Sequence, residues 1–214
     1  MFLNFLSVFF PLTELIKQIL LYSHYGAEYS IWYFPFQLCS LPIYLVPLYA
    51  KTKNTVLETF LIDFSLLGGI FVFFDQSGMH YDMPVLTVHS YLWHIMMIVT
   101  GVYLTLHTER KMSFRDYLPV AGLLLFFAGI ATVLNLTLIG IGGVNMFYIS
   151  PRYHMDQIVF CDIASRIGDG AARIIYLVCI LLGGGLIHML CGGVRSIWHC
   201  RHDAAVRKES GEER

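Results

Sequence analysis

The stretch Ile174–Leu182 reads IIYLVCILL, and it lies within a longer apolar run from Ala171 to Trp198. About 20 apolar residues are enough to cross the roughly 30 Å hydrocarbon layer of a membrane. Strands of a membrane barrel alternate in polarity over about ten residues, and this run does not. Because a single segment in lipid must satisfy its own backbone hydrogen bonds, the run predicts a membrane-spanning helix.

The rest of the chain repeats this pattern. Five further apolar runs are Phe2–Tyr22, Ile31–Ala50, Thr55–Phe74, Val85–Leu106 and Tyr117–Leu138. The 214 residues are 57% hydrophobic and 14% charged, whereas a soluble domain has roughly 25% charged residues, so a solvated globular domain is excluded. We predict an all-α, polytopic membrane bundle of about six transmembrane helices. Residues 1–198 form a single membrane domain in this interpretation, and residues 199–214 form a disordered cytoplasmic tail.

The first run is the least regular because Glu14 and Lys17 interrupt it. Residues three apart share a helix face and can pair. An amphipathic helix that lies at the membrane interface is therefore an alternative to a span for this run.

The basic residues predict the orientation. Of the fourteen Lys and Arg residues, ten lie between runs two and three, between runs four and five, or after run six: Lys51, Lys53, Arg110, Lys111, Arg115, Arg195, Arg201, Arg207, Lys208 and Arg214. The other four are Lys17, Arg152, Arg166 and Arg173. Cytoplasmic loops carry the excess of positive residues, so both termini are predicted to be cytoplasmic.

Partners follow from the same composition. A formal net charge of -1 gives no field that would attract nucleic acid. No C-x-x-C motif or His/Cys cluster with zinc-ligand spacing occurs in the sequence, so neither a metal site nor a cofactor is expected. The sequence Trp198-His199-Cys200-Arg201-His202 could bind a metal, but the interfacial end of a membrane helix explains it equally well. The expected partners are membrane phospholipids, around an integral, multi-pass protein that would lie in the plasma membrane of a bacterial cell. The sequence does not determine the oligomeric state.

Polar side chains at membrane depth are costly and often functional. Cys39 lies eight residues after Ile31, and His94 lies nine after Val85. At 1.5 Å per helical residue both are about 12–14 Å along their helices and can share a layer. A thiol with a neighbouring imidazole is the smallest unit for nucleophilic catalysis. The alternative is that Cys39 is a core residue without a role, which is common for cysteine.

Other polar residues are candidates to complete such a site. Gln37, Asn135 and Asn145 could hold a substrate carbonyl or head group. Ser90 and Tyr91 share a helix face with His94; they could orient its ring and are also candidates for substrate binding. Hydrogen bonding between helices is an alternative role for Ser90 and Asn135.

Three further features concern the surroundings of this site. Asp63 could orient a histidine or serve packing. Pro42 lacks an N–H group and is expected to leave the Leu38 carbonyl without its helical donor. The segment from Gly140 to Gly170 is too long for a passive link. Its part around Asn145 to His154 is predicted to fold over the mouth of the bundle and to contact run two or run four.

Four short motifs carry a family resemblance. Pro35-Phe36-Gln37-Leu38-Cys39-Ser40 resembles the Pro-x-x-Leu-Cys signature of the YwaF-type integral membrane proteins of bacteria, which are related to transmembrane protein 164 of animals. The later motifs appear in the same order. They are Gly68-Gly69, Tyr91-Leu92-Trp93 before His94, and Asn145-Met146-Phe147-Tyr148 before Pro151. The chain departs from many bacterial members in having Gln37 where they have His and Ile95 where they have Gly.

The resemblance implies a six-helix core and a lipid acyltransferase that uses a cysteine and a histidine, which map onto Cys39 and His94. The animal relative moves acyl chains between phospholipids, with ether phosphatidylethanolamine as acceptor. Two alternatives stay open: a lipid ester hydrolase on the same bundle, and a non-catalytic membrane transport or assembly protein.

Overall fold

The computed structural model describes residues 1–108, 110 and 112–209, with the backbone alone for residues 199 and 201–209. Within these ranges the regular elements are helical, which confirms the all-α prediction. The α-helices are α1 (Phe2–Tyr25), α2 (Pro42–Thr52), α3 (Thr55–Phe71), α4 (Pro84–His107), α5 (Phe114–Thr137), α6 (Phe160–Ile167) and α7 (Asp169–Glu209). Short 3-10 turns lie at Gly26–Glu28, Ile31–Tyr33, Leu38–Ser40, Ser77–Met79 and Met146–Tyr148.

Four segments are long and apolar enough to cross a membrane: Phe2–Glu28, Pro84–His107, Phe114–Thr137 and Asp169–Trp198. They correspond to predicted runs one, four, five and six. The two remaining runs give shorter helices, because α3 has 17 residues and α2 has 11. At 1.5 Å per residue α3 is about 26 Å long, close to the lower limit for a span. The structure therefore supports four spans, and six stays a prediction.

The prediction of one continuous helix over Ile31–Ala50 is wrong. Residues before Pro42 form two separate 3-10 turns, and α2 begins at Pro42. Pro35 and Pro42 provide the physical reason, since each lacks an N–H donor and restricts the residue before it. The Leu38 carbonyl also finds a donor after all, because the Leu41 N–H lies 3.3 Å from it.

Helix α3 lies at the centre of the bundle, and its residues 59–67 are all buried. It packs closely on α4 because glycines remove the side chains at the crossing. A Cβ atom at Gly69 would lie 3.0 Å from the His94 carbonyl oxygen, and one at Gly101 would lie 2.5 Å from Leu66 Cγ. Small residues at such crossings let the two backbones approach each other.

The connections group at two ends of the bundle. At one end Arg110 donates to Thr59 Oγ1 at 2.9 Å, which joins the α4–α5 connection to the start of α3. At the other end Tyr25 donates to Asp82 at 2.8 Å, which joins the end of α1 to the α3–α4 connection. Which of the two ends faces the cytoplasm stays a prediction.

Helix α7 continues beyond the predicted span. It ends at Glu209 and so includes residues 199–209 of the segment predicted to be a tail. Residues 210–214, like Glu109 and Lys111, lie outside the described residues. The cytoplasmic location of this segment stays a prediction.

Candidate functional site

Two cavities share Cys39 and His94 in their walls. The larger has a volume of about 630 Å³, within the range of roughly 300–1,000 Å³ that ligand sites usually have. The smaller has a volume of about 80 Å³, enough for two or three molecules of water at about 30 Å³ each. The thiol and the imidazole thus lie where the two cavities meet.

The two cavities differ in character. The larger one runs along α3 and α7, where its wall includes Leu67, Phe71, Val72, Ile180 and Gly183. The smaller one lies between α1, α4 and the turn at Leu38–Ser40, with Glu14, Lys17, His89 and Ser90 in its wall. A mainly apolar compartment therefore adjoins one of mixed polarity at Cys39 and His94.

Local contacts fix the orientation of the His94 ring. Its Nδ1 atom lies 2.8 Å from the Ser90 carbonyl oxygen. A carbonyl oxygen only accepts hydrogen bonds, so Nδ1 must carry the hydrogen. In the neutral ring Nε2 then has the free lone pair, and no partner of Nε2 occurs among the described residues. His94 is therefore arranged to accept a proton through Nε2.

Cys39 lies in the short turn Leu38–Ser40, immediately before α2. The indole Nε1 of Trp93 donates to the Cys39 carbonyl oxygen at 3.0 Å. Since Trp93 directly precedes His94 on α4, this bond ties the cysteine backbone to the helix turn that carries the imidazole. The depth calculation that paired the two residues does not hold for Cys39, because residues 31–41 are not one helix. They line the same cavities nonetheless.

The three amide side chains proposed for substrate binding hold the loop after α5. Gln37 donates to the Asn145 carbonyl oxygen at 3.0 Å and accepts from the Phe147 N–H at 2.7 Å. Asn135 pairs with both backbone groups of Met146, at 2.7 and 3.0 Å. The loop therefore contacts the segment before Cys39, and this part of the loop prediction is confirmed.

Asn145 itself turns inward. Its Oδ1 atom accepts from the Ser150 N–H at 3.0 Å, and its side chain does not line either cavity.

Within this loop Phe147 and Tyr148 both have a backbone φ of 58°. Such left-handed backbone is costly for bulky residues and persists only when the surroundings hold it. The turn places Tyr148 in the walls of both cavities.

The two residues proposed to orient His94 behave differently. Ser90 does so through its backbone carbonyl and lines the smaller cavity. Tyr91 donates its hydroxyl to Gln76 Oε1 at 2.7 Å, outside both cavities. Tyr91 therefore contacts the α3–α4 connection rather than His94.

The wall of the larger cavity includes Asp75, in the connection between α3 and α4. Burial alone would raise the pKa of Asp75, but hydrogen bonds from the Ile158 and Ser77 N–H groups outweigh it and hold the pKa below its usual value. The contact with Ile158, at 2.9 Å, ties the segment before α6 to the α3–α4 connection in the wall of this cavity. Asp75 is consequently ionised at neutral pH.

Asp63 does not orient the histidine of this site. Its Oδ2 atom lies 3.0 Å from Nδ1 of His188, whose Nε2 lies 2.9 Å from the Ser113 carbonyl oxygen. Ser113 immediately precedes α5, next to the connection that carries Arg110. The pair therefore contacts the start of α5, and neither Asp63 nor His188 lines either cavity.

Sequence reasoning missed Glu14, Lys17 and His89 as parts of the site. Glu14 and Lys17 were interpreted as a sign of an interfacial helix, and their spacing was the available signal. His89 also lines the smaller cavity, and its Nε2 atom is buried with no partner among the described residues.

Comparison with known proteins identifies the family of this chain. No curated protein and no solved structure shows a significant match. The model of the TMEM164 family matches residues 1–189, a range that contains both cavities and most of the chain. The match agrees with the motif resemblance noted in the sequence. The chain therefore belongs to the TMEM164 family.

Proposed function

We propose that this protein is an intramembrane acyltransferase that moves acyl chains between glycerophospholipids, with Cys39 as nucleophile and His94 as general base. The observation that carries the proposal is the pair of cavities that meet at these two residues. The proposed setting is a multi-pass protein with both termini cytoplasmic, in the plasma membrane of a bacterial cell. Family membership supports a membrane protein of this kind.

The proposed reaction has two halves. In the first, His94 Nε2 takes the thiol proton, the Cys39 sulfur attacks the ester carbonyl, and the ester C–O bond breaks. The leaving lysophospholipid oxygen takes the proton from His94, and an acyl thioester is left on Cys39. In the second, a lysophospholipid hydroxyl gives its proton to His94 and attacks the thioester. The C–S bond breaks, and the thiolate regains the proton.

The cavities suit this assignment. The larger one offers an apolar wall along α3 and α7 for an acyl chain, with residues such as Leu67, Phe71 and Ile180. The smaller one offers hydrogen-bonding groups where the carbonyl oxygen would develop negative charge. A site of this type needs both parts, because the chain must leave water while the reacting atoms require polar partners.

An electrophilic lipid ester probe tests the nucleophile. We expect wild-type protein in membranes to form a covalent adduct at Cys39, and Cys39→Ala and Cys39→Ser to abolish it. His94→Ala should reduce the rate by about 10²–10⁴-fold, the usual contribution of a general base. Cys179→Ala is the matched control, because Cys179 is a second thiol in the wall of the larger cavity. Its adduct level at Cys39 should equal that of wild type.

Lipid analysis of cells that express each variant tests the reaction class. Transfer predicts that wild type, and not Cys39→Ala, redistributes acyl chains among phospholipid species without net loss. Accumulating free fatty acid would instead assign a hydrolase. Probe labelling that survives His94→Ala, together with an unchanged lipid profile, would contradict the proposal and favour a non-catalytic membrane protein.

A further inference from the structure

A buried ion pair on α1 contributes to the wall of the smaller cavity. Lys17 Nζ lies 2.9 Å from Glu14 Oε1, and the two side chains are 12% and 6% exposed. Ion pairs at membrane depth are expensive, and those that occur usually face a bundle interior or a polar cavity. Both residues line the cavity that contains Cys39 and His94. The buried ion pair, which is energetically unfavourable at membrane depth, therefore lies at the candidate site.

A fixed network holds the carboxylate of this pair. Gln18 Nε2 donates to Glu14 Oε1 at 2.6 Å and to the Tyr33 carbonyl oxygen at 2.7 Å. The Tyr29 hydroxyl donates in turn to Gln18 Oε1. Because Glu14 is anchored from the side of Gln18, it can position the Lys17 ammonium rather than follow it.

The ammonium has capacity left for the cavity. Lys17 carries three N–H donors, and within the described part of the chain Glu14 is its recorded partner. Lys17 lines the same small cavity as Cys39, His89 and His94, and a charge in a shared cavity with little water acts on the groups around it. A group so placed can stabilise negative charge on the sulfur.

Lys17 is also the sole Lys or Arg that the described residues contribute to either cavity wall. Around the smaller cavity the other titratable groups are Glu14 from α1, His89 and His94 from α4, and Tyr33, Tyr81 and Tyr148 from the connections. The larger cavity adds carboxylates, among them Asp75, Asp82 and Asp156. Among the described residues, no other group of fixed positive charge in these walls can offset a thiolate.

We propose that Lys17 is a positioning residue that stabilises the Cys39 thiolate through its ammonium group, which Glu14 holds at the smaller cavity. The inference rests on the proposed function in taking Cys39 as the nucleophile. In the proposed reaction the proton moves from sulfur to His94 Nε2, and the resulting negative sulfur lies in the field of Lys17 until it attacks the carbonyl. No further reactant is needed.

Alkylation of the intact protein by iodoacetamide tests this inference without a transfer assay. The Cys39 adduct is followed by peptide mass spectrometry in lipid nanodiscs between pH 6 and 10. We expect Lys17→Met to slow Cys39 alkylation at pH 7.5 by about tenfold, since only the thiolate reacts. The pH profile should move to higher pH by about one unit. Lys17→Arg, which keeps the charge, should restore the rate to within about threefold.

Two further variants complete the experiment. Lys51→Met removes a lysine that lies outside both cavities, near the end of α2, and should alkylate like wild type. Glu14→Gln removes the opposing charge, and it should raise the rate at pH 7.5; this variant serves if Lys17→Met does not fold.

A Lys17→Met profile that coincides with wild type would overturn the inference, as would a loss of rate that Lys17→Arg does not restore. If Lys17→Met slows Cys39 alkylation but the wild-type protein transfers no acyl chains between lipids, only the proposed function is refuted.

Discussion

At the scale of single residues, Asp63 and His188 pose a question of proton placement. The Ser113 carbonyl only accepts, so His188 Nε2 must carry a hydrogen, and a further proton lies between Nδ1 and Asp63 Oδ2. Their side chains are 0% and 2% exposed. The pair therefore links α3 and α7 to the start of α5 in a region without access to water.

Removing one partner of this pair should destabilise the bundle. We expect Asp63→Ala or His188→Ala to lower the free energy of unfolding by about 3–5 kcal/mol, because each leaves its partner buried and unmatched. Denaturant unfolding in detergent micelles measures this. Thr100→Val is the control, since the buried Thr100 hydroxyl bonds within its own helix, to Met96, and should cost about 1 kcal/mol. Equal stability of all three variants would show that the pair does not hold the helices together.

At the scale of helices, the α3–α4 crossing positions the candidate base. A Cβ atom at Gly69 would lie 2.7 Å from Ile98 Cγ1 and 3.0 Å from the His94 carbonyl oxygen. The Ile98 side chain can move, whereas the backbone at His94 can move only with α4. The glycine thus keeps the helix turn that carries the imidazole close to α3.

We expect Gly69→Ala to cost about 1–3 kcal/mol of stability, as over-packing usually does, and to slow Cys39 labelling by shifting His94. Thermal unfolding and the lipid probe measure the two effects on one sample. Gly129→Ala is the matched control, because its Cβ would meet nothing within 4 Å. It should label like wild type and gain up to about 1 kcal/mol from helix propensity. Unchanged labelling in Gly69→Ala would show that the α3–α4 crossing does not position His94.

The helices also show where sequence reasoning works and where it does not. Hydropathy alone predicted α1, α4, α5 and most of α7, because lipid requires continuous apolar helices. It did not predict the broken segment over residues 31–41, since composition there is as apolar as in a helix and only Pro35 and Pro42 signal the break. A polar cavity can surround irregular backbone at membrane depth, which is consistent with Cys39 in such a turn.

The candidate site was predictable in part for a related reason. Cys39 and His94 stand out as reactive groups in apolar surroundings. The roles of Gln37, Asn135 and Asn145 were not readable, because an amide that binds a loop backbone has the same sequence as one that binds substrate. The sequence around Lys17 likewise fits an interfacial helix, and only the packing of α1 shows that Lys17 lines the smaller cavity.

At the scale of the whole molecule, the distribution of basic residues predicts the orientation in the membrane. Lys51 lies in the last turn of α2, Lys53 directly follows that helix, and Arg110 precedes α5. The contact between Arg110 and Thr59 brings these two connections to one end of the bundle. The excess of positive residues predicts that this end is cytoplasmic, and the end with Glu28 and Asp82 then faces the opposite side.

Labelling of intact cells by a membrane-impermeant maleimide tests this orientation. We expect Glu28→Cys to react in intact cells, because that residue lies beyond the end of α1 at the non-basic end. Lys51→Cys should react only after the cells are permeabilised. Cys161, in α6, is a native thiol at the predicted outer side, and peptide mass spectrometry separates its adduct from the introduced ones. Reaction of Lys51→Cys in intact cells would reverse the predicted orientation. Cys39 and its two cavities would then open toward the cytoplasmic leaflet, and lipids of that leaflet would be the substrates to test.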